Sequence, residues 1–384
     1  MSGWRGEDVK GKASMTNREN TLAILRYEPY ERLPIVHFGY WWETLQKWVD
    51  EGHLLQSDLE GIGDGNAEES ALSAKLGFDF NWQNMFVSEN SMRPALESKV
   101  IKTFDDGRQH IMGGDGVVLV HVPGAGSIQS HVDYLLKDRA AWEEHFKWRF
   151  EWHDERVNSV AIEALKSQDR GNPRGLHCGS LYGCVRGMLT FEGSCYMLAD
   201  DEELFTEIID VNADLCYRVV ERTLELGAEF DFAHFWEDIC FKNGPCISPE
   251  VFMEKVGPHY RRITELLSKH GIDICSLDCD GCIDALIPTW IENGVNTMFP
   301  IEVGTWDASI SPWREKYGRD LRGVGGMNKN VFARDRAAVD AEVERLRPLV
   351  DLGGYIPCPD HRIAPDAEYD NVRYYCDRMR AAFA

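Results

Sequence analysis

No run in this sequence approaches about 18 consecutive apolar residues, so nothing reads as a bilayer span. The first fifteen residues, MSGWRGEDVKGKASM, lack the apolar core of a signal peptide. Basic residues are scarce: 41 Lys plus Arg stand against 64 Asp plus Glu, a net charge of −23. Neutralising phosphates needs clustered cations, so nucleic acid is excluded as a partner, and an anionic membrane surface would repel the chain. A cytoplasmic protein is expected. Eleven cysteines are scattered over 384 residues without the character of a secreted disulfide framework, and most read as small buried hydrophobes. GxxxxGK[ST], GxSxG and HExxH are missing, which withdraws support for nucleotide hydrolysis, α/β-hydrolase and zincin chemistry. Gly323-x-Gly325-Gly326 is an incomplete glycine loop, and Cys279-x-x-Cys282 has no second CxxC or HxxxH to complete a zinc site.

What is present is regular. Residues 1–15 are polar and read as a flexible arm. Thr16 with Glu19 forms a capping-box pattern that opens a helix through Leu22, Ile24 and Leu25. Arg32 to Phe38 reads as a buried strand, and Phe78 to Trp82 as another. Gly113–Gly114 sits between β-rich runs and predicts a hairpin ending in VVLVHVP. From about residue 140, helical patterns alternate with apolar strands at Gly175–Leu181, Phe230–Trp236, Ile272–Asp278, Thr297–Val303, Leu321–Met327 and Gly354–Cys358. One helix runs from near Asp201 to Gly227, and another opens at Ser248-Pro249-Glu250 and ends at Gly271. Eight strands alternating with helices predict an α/β fold: a (β/α)8 barrel with additional N-terminal helices and a hairpin, one domain over residues 16–384.

Barrel chemistry sits at the C-terminal strand ends, and here those ends are polar. Five consecutive strands run into Glu237-Asp238, Asp278-Cys279-Asp280, Glu302, Asn328-Lys329 and Asp360-His361. Asp and Asn after a strand are common helix caps, but Glu302, Lys329 and His361 are poor ones. Strand alternation puts Asp278 and Asp280 on one side, about 7 Å apart at Cα, where they can clamp a divalent cation or bind a cationic group. Cys279 falls on the other side. The first strand leads into His37-Phe38-Gly39-Tyr40-Trp41-Trp42, and Trp236 lies at another strand end. These aromatics either fill the core or line a pocket for a flat apolar ligand.

The segments TNRENTLAILRYEPYERLPI, MLTFEGSCYMLADDEELFTEII, ISPEVFMEKVGPHYRRI, DCDGCIDALIPTWIENGVNTMFPIE, YGRDLRGVGGMNK and GGYIPCPDHRIAPDAEYDNV resemble the uroporphyrinogen decarboxylase superfamily, from Thr16 to near the end. That resemblance implies the barrel fold and one of two activities. In the decarboxylases an Arg-rich segment after the first strand grips the carboxylates of the tetrapyrrole; here HFGYWWETLQKW holds no Arg. The corrinoid-linked methyltransferases imply a zinc site from His-x-Cys-Gly and a late Cys. Asp278-x-Asp280-Gly281 stands at the first position and His361 at the second. The implied metal set is Asp278, Asp280 and His361, with Glu237 and Glu302 completing the shell or protonating a leaving oxygen. His37, Tyr40, Trp41 and Trp236 would bind substrate. Carboxylate and imidazole suit an oxygen-bearing substrate better than a thiol. The chain is therefore similar to the ether-cleaving methyltransferases of O-demethylase systems, which pass a methyl group to a corrinoid on a partner protein. The cofactors implied are that cobamide and zinc or another divalent metal; a homo-oligomer is compatible. The rival readings are methyl transfer from methylcobamide to a thiol, tetrapyrrole decarboxylation and a non-catalytic ligand-binding barrel.

Overall fold

The computed structural model describes residues 14–123 and 130–383. The proposed arm at residues 1–15 lies almost wholly outside them. The strands in chain order are β1 (Val36–His37), β2 (Phe80–Asn81), β3 (Met85–Phe86), β4 (Lys99–Thr103), β5 (Gln109–Met112), β6 (Val117–His121), β7 (His131–Tyr134), β8 (Gly175–His177), β9 (Phe232–Trp236), β10 (Cys240–Phe241), β11 (Gly244–Pro245), β12 (Cys275–Asp278), β13 (Thr297–Phe299), β14 (Arg322–Met327) and β15 (Tyr355–Pro359).

Seven of them form a parallel sheet in the order β15-β14-β13-β12-β9-β8-β3, and β1 pairs in parallel with β2. The Gly175 amide donates to the Asn84 carbonyl at 3.1 Å, so β2 and β3 act as one interrupted stave. The last gap closes after β15, where Tyr40 bridges Ile363 in parallel and the Ile363 amide donates to Gly39 at 3.1 Å. The result is the (β/α)8 barrel. A helix follows most staves, among them Gly183–Asp200 and Glu202–Glu225 after β8, Arg336–Val350 after β14 and Tyr369–Ala382 after β15. Among the described residues no helix is long and apolar enough to cross a membrane.

Local chemistry explains most boundaries. Thr16 caps helix Asn17–Leu25 with Glu19 in a full capping box. The stave expected at Arg32–Phe38 shrinks to β1, because Pro34 has no N–H to donate and Gly39, at φ +88°, turns the chain out. The helix expected from Ser248 to Gly271 is two, Pro249–Lys255 and Gly257–Lys269, broken at Val256 ahead of Gly257-Pro258. The expected hairpin is larger: β4 to β7 make a four-stranded antiparallel sheet, with the β5–β6 turn at Gly113–Gly116. Inside the barrel, Trp82 stacks on Phe232 at 4.3 Å and fills the axis with aromatic surface.

Candidate functional site

The segments leaving β9, β12, β13 and β15 build the mouth of the barrel. Inward positions on β9 alternate through His234 and Trp236 to Asp238; on β12 they run through Ser276 and Asp278 to Asp280. The carboxylates of Asp238, Asp278 and Asp280 lie within 4.8 Å of one another. The Asp280 amide donates to Asp238 Oδ1 at 3.1 Å, and Gln83 Nε2 donates to Asp278 Oδ2 at 2.9 Å. His361 Nε2 stands 3.2 Å from Asp280 Oδ2. Its ring stacks on Trp41 at 5.6 Å and 18° and meets Phe38 at 5.2 Å. Asp238 (φ +49°) and Ile301 (φ +59°) hold left-handed backbone at two strand exits, and a β-branched residue there is strained.

These charges do not balance. Burial, then the Asp280 charge, push the Asp238 carboxyl up to about 6. Burial, then Asp238 and Asp280, push Asp278 well above the carboxylate range. Glu302 is also raised, by burial and then by Asp280; its Oε2 accepts from the Gly281 amide at 2.6 Å and its Oε1 from Thr305 Oγ1 at 2.8 Å. It therefore braces the turn that presents Asp280. Lys329 is half-buried nearby and burial lowers its pKa. Asp360 is spent on the amides of Gly304 and Lys329. Asp280 Oδ1 and His361 Nδ1 are buried without partners. Orphaned oxygen and imidazole acceptors around clustered carboxylates fit a divalent cation, which would take the place of the protons this trio otherwise needs.

The structure thus brings together Asp278, Asp280 and His361 as expected, with Glu302 in contact, but the acid that joins them from β9 is Asp238. Glu237 points the opposite way. It is fully buried and accepts from the amides of Leu181 (2.8 Å), Tyr182 (3.0 Å) and Gly183 (2.6 Å), from Ser180 Oγ (3.3 Å) and from the Tyr260 hydroxyl. It anchors the start of helix Gly183–Asp200 and has no free oxygen for a substrate. Gly183 permits this approach, since a Cβ there would lie 1.9 Å from the Glu237 carbonyl.

The expected aromatic set divides. His37 and Tyr40 lie behind β1 in the outer layer, with ring centroids 5.1 Å apart and the Tyr40 hydroxyl 3.0 Å from Ser73 Oγ. Burial pushes His37 down to about 3, so it is neutral. Phe38 and Trp41, on either side of the Gly39 turn, stand at the mouth against His361 instead. Trp236, 40 % exposed, lines a cavity of about 490 Å³ beside the carboxylates. Asp238 was accessible to the alternation rule through His234 and Trp236; the anchoring of Glu237 was not, because four of its five donors come from residues over fifty positions away.

Residues 181–382 match the family model described as uroporphyrinogen decarboxylase (URO-D). The chain belongs to the uroporphyrinogen decarboxylase family. The matched segment holds Asp238, Asp278, Asp280, Glu302 and His361; Phe38, Trp41 and Gln83 of the mouth precede it. No curated protein matches the chain. Among solved structures it is similar to a methyltransferase from Methanosarcina mazei, at 13% identity and a TM-score of 0.59, over 96% of this chain and 99% of that one. A B12-independent methionine synthase from a Shewanella species, in complex with selenomethionine, aligns at 11% identity and a TM-score of 0.46, over 91% and 98%. At 13% identity the likeness to the Methanosarcina methyltransferase is one of fold.

Proposed function

We propose that this family member is a corrinoid-dependent methyltransferase. It takes a methyl group from a small methoxylated, aromatic compound and delivers it to the cobalt of a corrinoid carried by a partner protein that docks at the barrel mouth. The observation that carries this reading is the charge of the mouth. Asp238, Asp278 and Asp280 converge at a mouth that would repel a polyanionic tetrapyrrole. Arg362, the arginine that follows His361, is already paired with Asp64 at 2.7 Å. A thiol acceptor is disfavoured as well. Cys279 turns toward Ile239, whose amide approaches its sulfur at 3.4 Å, and no thiol joins the acids.

Ether cleavage leaves the C–O electron pair on oxygen, and that oxygen must be stabilised as it departs. Asp238, Asp278, Asp280 and His361 would hold a divalent cation, which when bound supplies a Lewis acid for the leaving alkoxide or phenoxide. The residues themselves do the rest. Glu302 keeps the Asp280 turn in place, Gln83 fixes Asp278, and Trp41 and Phe38 wall the mouth against water. In the cation-free site, a carboxyl raised to about 6, as at Asp238, would instead give its proton to the leaving oxygen. Residues 16–384 act as one barrel domain in this reading, in the cytoplasm.

The test mixes the purified chain, zinc or another divalent ion, a panel of aromatic methyl ethers and cob(I)alamin under strict reduction. Methyl transfer to cob(I)alamin, read by absorbance, is expected. Asp278→Ala and His361→Ala should each lower its rate roughly a hundredfold or more. No transfer with any ether would sink the reading.

A further inference from the structure

The cavity of about 490 Å³ beside the carboxylates has a recognisable chemistry of its own. It lies between the ends of β8 and β9, the first turns of helix Gly183–Asp200 and the antiparallel sheet. Its size suits a small molecule, and Met92, Met188 and Trp236 give it an apolar wall. Among the polar residues that share the lining, two offer hydrogen-bond donors that decide its chemistry. The Gly179 amide approaches His177 Nδ1 at 3.3 Å, and Asn90 Nδ2 does so at 3.2 Å. A backbone N–H can only donate, so Nδ1 accepts and the ring proton sits on Nε2. Burial keeps this ring neutral, with a pKa pushed down to about 4. His177 thus presents one fixed N–H donor.

Arg186 is the second group. Its Nη2 donates to the Asp238 carbonyl at 2.6 Å, while its Nε is buried without a partner. Among the described residues it makes no ion pair. The carboxylate on the cavity wall, Asp115, is not paired with it; its Oδ1 accepts from the Val117 amide at 3.0 Å. A guanidinium with an unpartnered buried Nε and, among the described residues, no carboxylate within ion-pair distance, beside a neutral N–H donor, is a receptor for an oxyanion.

We propose that this cavity is a substrate subsite for an aromatic carboxylate, with the carboxylate on Arg186 and His177 Nε2 and the ring against Trp236, Met92 and Met188. The assignment of the bound molecule as substrate rests on the methyl-transfer reading; the substrate is then an aromatic ether bearing a carboxylate remote from its methoxy group. Arg186 also touches the Asp238 carbonyl, so the subsite and the carboxylate cluster adjoin.

The experiment is calorimetric titration of the full chain, without corrinoid, with ortho, meta and para methoxybenzoate and with their neutral methyl esters. At least one acid should bind roughly tenfold or more tighter than its ester, the worth of a hydrogen bond to a charged group. Arg186→Gln should erase that preference, and His177→Phe should reduce it. Arg186→Lys, which keeps the charge, should retain part of it. Gly187→Leu fills the cavity from a helical position where a Cβ meets nothing within 4 Å, so the fold survives and binding of acid and ester alike is lost. Equal affinity for every acid and its ester, no binding of any acid, or full binding by Gly187→Leu overturns the subsite. The two readings fail separately. An Arg186-dependent acid preference without transfer to cob(I)alamin keeps the subsite and removes the methyl-transfer reading. Equal transfer from acid and ester, unaffected by Arg186→Gln, does the reverse.

Discussion

Glu237 and Asp238 are neighbours in the chain, and both carboxyls are held above their ordinary range by burial. Their surroundings nevertheless have opposite sign. Glu237 sits among five donors, three of them backbone amides at a helix start, where negative charge is favoured. Asp238 faces two more aspartates and receives one amide hydrogen bond. Burial alone therefore does not separate a structural acid from a working one. The partner inventory does: donors mark an anchor, and like charges mark a site that awaits a proton, a cation or a substrate.

The largest expected effect tests the anchor. Glu237→Ala strips the acceptor from five buried donors and should cost about 3–5 kcal/mol, read by denaturant unfolding. Asp278→Asn, at a buried carboxyl, should cost nothing or stabilise the metal-free protein, because burial and the neighbouring aspartates already press Asp278 toward its neutral form. If both variants lose the same stability, the distinction fails. Next in size is the response to a divalent cation. At about a hundred times its dissociation constant it should raise stability by roughly 2.7 kcal/mol in the wild type and far less in Asp280→Asn.

The cluster also predicts a pH dependence of definite sign. The Asp238 carboxyl rises from 3.8 to about 6 on folding, so the folded state binds its proton more tightly. That contribution is fully present below 3.8 and is lost as pH rises through about 6. Melting of the metal-free wild type, compared with Asp238→Asn at each pH, should show a relative loss across this window. A saturating divalent cation should abolish it. A difference flat from pH 4 to 7 would contradict the shared-charge picture.

Much of this was legible in the residues. Strand–helix alternation revealed the barrel, and the period of two put Asp278 and Asp280 on one side, where they are found. The same period extends from His234 to Asp238 and excludes Glu237, yet the strand exit left both open until the amides of Leu181, Tyr182 and Gly183 were placed. Trp41 and His361 are 320 positions apart, and no local pattern announces their stacking. The substrate subsite is less visible still. His177 is an ordinary strand residue until Asn90, 87 positions earlier, and Gly179 fix its proton. Tertiary pairing of this kind is written in no single segment.

The smallest prediction lies between the two acids, on His234. Trp82 Nε1 can only donate, and it reaches Ser276 Oγ at 3.2 Å. Ser276 Oγ is also 3.1 Å from His234 Nδ1. If the serine hydroxyl donates to Nδ1, the indole and hydroxyl protons each have an acceptor, and His234 carries its own proton on Nε2. That nitrogen is buried without a hydrogen-bond partner and lies 4.0 Å from Asp278 Oδ2. The opposite tautomer would strand the serine proton and set a lone pair against a carboxylate. The order Trp82, Ser276, His234 therefore turns an N–H dipole toward Asp278 at 4.0 Å, beyond the hydrogen bond that Gln83 makes at 2.9 Å. Ser276→Ala should release the tautomer at a cost of about 1 kcal/mol in unfolding. It should also shift the acid limb of the activity profile, since Asp278 loses an oriented donor. Ser276→Thr, which keeps the hydroxyl, should restore that limb. A limb unmoved by Ser276→Ala would leave His234 as packing alone.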